Sequence, residues 1–218
     1  RAWIVQRTAS HVPFVWGHVQ EMPIKRQAMS TRPATELFSE WATKNKDEGM
    51  ERGHAASVKA MLDLALPRVS TPYSAVDVGC GNGRLLHFLN KYRVKYIGVD
   101  PSSKLISIAK DIADQRITSS ISAYSFIETP AHRLPFADNT FDTVFAIASL
   151  YHIPSYELRL KSVSEISRVL KPGGTFVMTY WNMWNRSRRK LVVNNVMEKL
   201  VGKSKLDFLD SEKPWKDS

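Results

Sequence analysis

One run of residues constrains this chain more than any other: Ala75-Val76-Asp77-Val78-Gly79-Cys80-Gly81-Asn82-Gly83-Arg84-Leu85-Leu86. An apolar strand runs into glycines at alternate positions, and a helical pattern continues through Leu85, Leu86, Phe88 and Leu89. Glycine carries no Cβ, so a strand–turn–helix of this kind brings backbone N–H groups and a helix N-terminus close to a ligand. The spacing narrows the ligand class. A dinucleotide fingerprint, G-x-G-x-x-G, counted from Gly79 and Gly81 requires its third glycine at position 84. Arg84 stands there instead, and the third glycine is Gly83. A glycine turn also occurs as a plain tight turn, so its meaning depends on the strands and helices downstream of it.

The next strand, Tyr96-Ile97-Gly98-Val99, ends in Asp100, 23 positions after Asp77. That is close to the spacing of about 20 that puts an acid at the end of the second strand of a nucleotide-binding unit. A carboxylate there accepts hydrogen bonds from both ribose hydroxyls of a nucleoside; the other reading is a solvated acid opening the turn Asp100-Pro101-Ser102-Ser103. Leu105, Ile106, Ile108 and Ala109 give the following helix its buried face. A third strand is expected at Ile121–Ile127 and a fourth at Phe141–Ile147, near-continuous apolar runs that suit a parallel sheet covered on both faces. A helix around Leu158–Leu170 is expected to break at Lys171-Pro172-Gly173-Gly174, with a fifth strand at Thr175–Tyr180. Alternating strands and helices predict a Rossmann-like, doubly wound α/β domain with a mainly parallel sheet and helices on both faces. Its ligand belongs beyond the carboxyl ends of the strands, where Gly79, Asp100 and Ser149 sit.

Upstream, Thr35 caps a short amphipathic pattern through Phe38, Trp41 and Ala42, and Val58, Met61, Leu62, Ala65 and Leu66 form a second one that Pro67 stops. From Arg1 to Pro33 no helical or strand period persists, and Arg1, Arg7, Lys25, Arg26 and Arg32 face a single acid, Glu21. Residues 1–33 are therefore expected to be a disordered leader or a non-native extension ahead of a start at Met29, an organelle transit peptide being the alternative. Residues 34–218 are expected to form the domain. With 218 residues there is enough chain for one real α/β core. The net charge of +10 makes an anionic partner such as RNA reasonable and carries no information about fold. The single cysteine, Cys80, excludes an intramolecular disulfide. No apolar run approaches the roughly 20 residues a bilayer span needs, and the six histidines show no ligand spacing, so neither a membrane nor a metal is expected.

From Val76 to about Trp184 the chain resembles the class I S-adenosylmethionine-dependent methyltransferases. The resemblance rests on Asp77–Gly83, Asp100, Leu134-Pro135-Phe136, Phe141-Asp142 and Arg168-Val169-Leu170-Lys171-Pro172-Gly173-Gly174. Shorter matches at Leu150-Tyr151-His152-Ile153-Pro154, Glu157-Leu158-Arg159, Tyr180-Trp181-Asn182 and Lys213-Pro214-Trp215-Lys216 are similar to the group that esterifies carboxymethyl groups on tRNA wobble uridines. Two features depart from the family. Glu128-Thr129-Pro130-Ala131-His132 offers no acid where the family often has one near the adenine, which leaves backbone atoms or His132 for that contact. Only Trp181–Ser218 remain for the closing helix and antiparallel strand pair, and no strand pair is legible there, so the sheet is expected to be truncated or to close unusually.

The resemblance implies S-adenosylmethionine as cofactor, held by Asp77, Gly79, Cys80, Gly81, Asn82, Gly83, Arg84, Asp100, Pro101 and Ser149. The cofactor carries its own electrophile, so proximity and orientation are the protein's main task. A carboxylate acceptor, as the tRNA resemblance implies, is already ionised. His152 is the candidate catalytic residue, to orient the acceptor or take a proton from a less acidic one, unless it only packs locally. Cys80 reads as a small residue within the turn. Trp181, Trp184, Arg186, Arg188, Arg189 and Lys190 combine aromatics with cations and suit RNA, or form a solvated face. The expected activity is methyl transfer in the cytoplasm to tRNA, with a partner subunit left open. A small metabolite is the alternative acceptor, and a catalytically silent cofactor-binding scaffold is the third reading.

Overall fold

The computed structural model describes residues 2–6, 14–15, 62, 73–89, 92–116, 123–179 and 189–202. In chain order these form β1 (Ala2–Gln6), β2 (Phe14–Val15), β3 (Tyr73–Val78), α1 (Arg84–Leu89), β4 (Val94–Asp100), α2 (Ser103–Arg116), β5 (Ala123–Glu128) and β6 (Phe141–Ala146). A 3-10 turn at Leu150–His152, then α3 (Tyr156–Val169), β7 (Leu170–Thr179) and α4 (Arg189–Leu200), complete the set. The expected helix at Thr35–Ala42, residues 181–188 and residues 213–216 lie outside the described residues; of the expected helix at Val58–Leu66 only Leu62 is described, helical and buried.

Strands β5, β4, β3, β6 and β7 lie side by side in that order and all pair in parallel. Alternation along these strands sorts the core into two faces, as the pleat requires. Ala75, Tyr96, Phe126, Phe145 and Val177 pack with Leu85, Leu86 and Leu89 of α1, with Ile106, Ala109 and Ala113 of α2, and with Leu62. Val76, Val78, Val99, Val144 and Ala146 pack on the other face with Ile166 and Val169 of α3 and with Leu134 and Leu150. Helices therefore cover both faces, and the doubly wound α/β reading holds. Burial of these side chains at about 25 cal/mol per Å² supplies the main drive to fold.

The edge beyond β7 corrects the expectation for the first residues. Ala2–Gln6 pairs antiparallel with β7 from Ala2↔Thr179 to Gln6↔Thr175, and Phe14–Val15 adds to β1 in turn. The antiparallel pair that closes the sheet comes from the N-terminal side of the chain, and among the described residues α4, not a strand, comes after β7. A five-residue strand such as Ala-Trp-Ile-Val-Gln is too short to show a period, and only the free edge of β7 makes it a strand.

Lys171-Pro172-Gly173-Gly174 also departs from expectation. The helix ends at Val169 because Leu170 is already extended (φ −78°, ψ 130°). The four residues then run inside β7, where pairing jumps from Phe141↔Leu170 to Thr143↔Thr175. Proline and glycine mark this irregularity of the ladder rather than a helix stop. A Cβ at Gly174 would meet the carbonyl oxygens of Lys171 and Asp142 at 2.9 and 3.0 Å.

The amino end of the sheet is clamped by Asp142. Its carboxylate accepts hydrogen bonds from the Ser74 amide at 2.8 Å, the Ser74 hydroxyl at 2.7 Å and Lys171 Nζ at 2.7 Å. Burial works against that charge, but the Lys171 and Ser74 donors outweigh it and hold the carboxyl below its usual range. Arg168 clamps the neighbouring loop, donating to Glu165, to Asp138 and to the carbonyls of Leu134 and Phe136. Two of the motif pieces that carry the resemblance thus have a structural reason for their residue types.

Candidate functional site

At the carboxyl end, β3 leads into the glycine turn and α1 departs from it. Gly79 and Gly81 sit at φ +75° and +57°, where a side chain is strained. Their surroundings differ. A Cβ on Gly79 would collide with Ser149, whose hydroxyl donates to the Val78 carbonyl at 2.6 Å. A Cβ on Gly81 would meet nothing within 4 Å. Gly79 lets the segment after β6 close on the turn, whereas Gly81 opens on unfilled space.

Asp100, at the end of β4, borders the same turn. Its Oδ2 accepts from the Gly81 amide at 3.0 Å and its Oδ1 from the Ser102 amide at 2.9 Å. It is 7% exposed, and burial raises its pKa while the two amides pull it down. An ionised carboxylate offers about four lone-pair positions, so two remain for donors on a ligand. Pro101 comes next, exposed, at the start of the turn into α2.

Asp77 is the unexpected member. It is 2% exposed, and its Oδ2 accepts from the Tyr96 hydroxyl at 2.9 Å. Tyr96 pairs with Ala75 in the parallel ladder, and so shares a face with Asp77. Its Oδ1 and the Tyr73 hydroxyl are, among the described residues, the buried side-chain polar atoms without a hydrogen bond. Burial pushes the Asp77 carboxyl up to about 7; Tyr96 opposes this, Asp100 adds to it, and Arg84 opposes it. An orphaned carboxylate oxygen beside the glycine turn is satisfied best by a cationic donor.

Cys80 is buried with its sulfur packed near Gly98, and burial raises its pKa, so it is a neutral thiol that fills space. Asn82 is buried within the turn, and Gly83 packs closely against Ala109 and Phe126. Arg84 begins α1 half-buried; desolvation lowers its pKa, with Tyr151 and Asp77 as the neighbouring groups that favour its charge. Tyr151 thereby lies near the turn, its ring tilted against His152 at 4.3 Å between centroids. Burial pushes the His152 imidazole down to about 4, so it is neutral near pH 7. The structure therefore brings Asp77, Gly79, Gly81, Asp100, Ser149 and Arg84 together, and sets Tyr151 and His152 beside them.

His132 lies after β5 in a turn that the Thr129 amide ties to the Asp100 carbonyl at 3.0 Å. Of the basic stretch, Arg189 and Lys190 open α4, and Lys190 is exposed. Tyr96 was not singled out by the sequence; an aromatic two strand positions before Gly98, on the strand next to Asp77, is the signal that points to it. Among the described residues no three His, Cys, Asp or Glu side chains converge as metal ligands, and no helix is long and apolar enough to cross a membrane.

Comparison with known proteins agrees with the fold. A family model described as a methyltransferase domain matches residues 76–178. A probable methyltransferase, ltbC, of Aspergillus luteorubrus is 31% identical over 151 residues, covering 67% of this chain and 52% of its own length. The tRNA (carboxymethyluridine(34)-5-O)-methyltransferase of Arabidopsis thaliana is 34% identical over 106 residues, 49% of this chain and 23% of that protein. The chain thus spans about half the length of one of these relatives and about a quarter of the other. Among solved structures, a methyltransferase in complex with the Haloferax volcanii Trm112 methyltransferase activator superposes with a TM-score of 0.53 at 30% identity, covering 67% of this chain and 60% of that one.

Proposed function

Because this chain belongs to the class I S-adenosylmethionine-dependent methyltransferase family, we propose that its carboxyl-end site binds S-adenosylmethionine and directs the methyl group to a carboxymethyl uridine of tRNA. The observation that carries the cofactor assignment is the pairing of open space over Gly81 with the orphaned Asp77 oxygen. Such a space accepts ligand atoms that any Cβ would displace, and a buried carboxylate oxygen invites a cationic donor, which the cofactor's amino acid end supplies. Asp100 offers acceptors to the ribose, and the turn from Gly79 to Arg84, with Pro101 and Ser149, forms the rest of the cradle.

When bound, the cofactor supplies a methyl on a positively charged sulfonium, which needs no nucleophile from the protein. The chain's own residues bind, orient and exclude water. The Ser149–His152 segment closes one side of the turn. A neutral His152 has one N–H to donate and one ring nitrogen to accept, and the N–H suits it to orient an acceptor oxygen rather than to carry charge. The family's acid near the adenine is absent here, which leaves the Thr129–His132 backbone or the His132 side chain for that contact.

Support for tRNA comes from the named activity of the Arabidopsis relative and from the chain's net charge of +10. The activator in the Haloferax complex supports a partner subunit for this chain as well. We place the reaction in the cytoplasm, where it would meet tRNA. Methyl-labelled S-adenosylmethionine offered with bulk tRNA and, separately, with a metabolite extract tests the reading. Label recovered in a uridine carboxymethyl ester is the expected outcome. Label only in small molecules would favour the metabolite reading, and cofactor binding without any transfer would favour the silent scaffold.

A further inference from the structure

Three non-glycine residues among those described have positive φ: Asn139 at 54°, Ala148 at 55° and Ser155 at 62°. Two of them bracket the segment that carries Ser149, Tyr151 and His152. Alanine in the left-handed region costs on the order of 1–2 kcal/mol and persists only where the surroundings impose it. At Ala148 one contact does so. Its amide donates to Thr179 Oγ1 at 2.7 Å.

The ladder shows why that hydroxyl matters. The last β6–β7 pair is Ala146↔Met178, so the backbone pairing stops two residues short of Ala148. Thr179 is the last residue of β7, and on its other side β1 pairs with it at Ala2. Paired with β1 and one residue past its last pair with β6, Thr179 is placed where its side chain reaches the departing chain. One residue further on, Ser149 packs on Gly79 and bonds the Val78 carbonyl. The far end of the segment is held by Arg159 Nη1, which donates to the Ile153 carbonyl at 3.0 Å, and by the Ser155 hydroxyl, which accepts from the Leu158 amide.

We infer that Thr179 is a positioning residue: its hydroxyl turns the chain at Ala148 and so sets Ser149, Tyr151 and His152 against the glycine turn. The inference rests on the proposed methyl-transfer site for its functional consequence, while its structural content stands independently of the acceptor. Valine keeps the shape and strand preference of threonine and removes only the acceptor atom; serine keeps the acceptor.

Amide hydrogen exchange on the full chain, compared for wild type, Thr179→Val and Thr179→Ser, provides the test. In Thr179→Val, peptides spanning residues 147–155 should exchange roughly threefold to tenfold faster, the scale of one lost hydrogen bond. Peptides spanning 141–146 and 170–178 should keep their protection, and Thr179→Ser should match wild type. With methyl-labelled S-adenosylmethionine and bulk tRNA, kcat/KM of Thr179→Val should fall by a similar factor, KM for S-adenosylmethionine rising with the displacement of Ser149, and Thr179→Ser should restore both. Unchanged exchange at 147–155 would overturn the inference, as would equal acceleration across β6 and β7, which marks a merely structural residue. If wild type transfers no methyl to tRNA, the tRNA reading fails while the exchange comparison still decides the role of Thr179.

Discussion

Two buried or half-buried aspartates at opposite ends of the same sheet show how differently a fold can treat one side chain. At the amino end, Asp142 has both oxygens occupied by Ser74 and Lys171, and its charge is stabilised. At the carboxyl end, Asp77 is more deeply buried, has one oxygen bonded to Tyr96 and the other to nothing, and is pushed up to about 7. The first arrangement stabilises the native state. The second is costly on its own and becomes reasonable once a ligand supplies the missing donor. A carboxylate with a filled shell is part of the scaffold, and one with a buried vacant lone pair beside a glycine turn is, in the function we propose, part of the cofactor site.

The largest effect that sharpens this contrast is expected at Gly81. Gly81→Val places a branched side chain in the open space of the turn at φ +57°. Affinity for S-adenosylmethionine should fall roughly 100-fold or more, about 2.7 kcal/mol, while the melting temperature drops by only a few degrees. Calorimetric titration and a thermal scan of the same sample check both halves. Affinity within a factor of two of wild type would separate the glycine turn from the cofactor.

Asp142→Ala is the complementary change, smaller and of the opposite kind. Losing the Ser74 and Lys171 donors should cost roughly 1–3 kcal/mol of stability, seen as a drop of several degrees in Tm. Cofactor affinity should not move. A loss of affinity larger than the loss of stability would mean that the two ends of the sheet are coupled and that the two aspartates differ less than their surroundings suggest.

Much of this site is legible as local spacing. The alternating glycines, the acid at the end of β4 and the apolar runs of β3, β4 and β6 need no knowledge of distant residues. What escaped the sequence depends on partners far along the chain. Tyr96 meets Asp77 from the neighbouring strand, and Thr179 reaches Ala148 from the end of β7. Ala2–Gln6 becomes a strand only because β7 offers it an edge. Pro172, Gly173 and Gly174 carry the usual marks of a helix stop, yet the helix has already ended at Val169 and these residues absorb a register shift. Local spacing marks the candidate site, and tertiary pairing decides what holds that place in shape.

In the proposed site the vacant oxygen of Asp77 receives the cationic end of the cofactor, and the most direct signature of that contact is a pH dependence of binding. With a folded pKa raised from 3.8 to about 7, Asp77 is protonated in the free protein at mildly acidic pH. The unfolded chain has already lost that proton, so this group makes the native state less stable as pH rises from about 4 to about 7. His152, lowered from 6.5 to about 4, works the other way, adding stability as pH rises between those values. The two trends offset each other in a stability curve, so binding is the cleaner readout. A cationic ligand selects ionised Asp77, and binding must then release a proton below about pH 7. Titrating the full chain with S-adenosylmethionine from about pH 5.5 to 7, in buffers of different ionisation enthalpy, should show affinity rising by up to about tenfold per pH unit, with up to one proton released. Asp77→Asn should flatten that slope. Binding with no proton release and no pH slope, or no binding at all, would contradict the account.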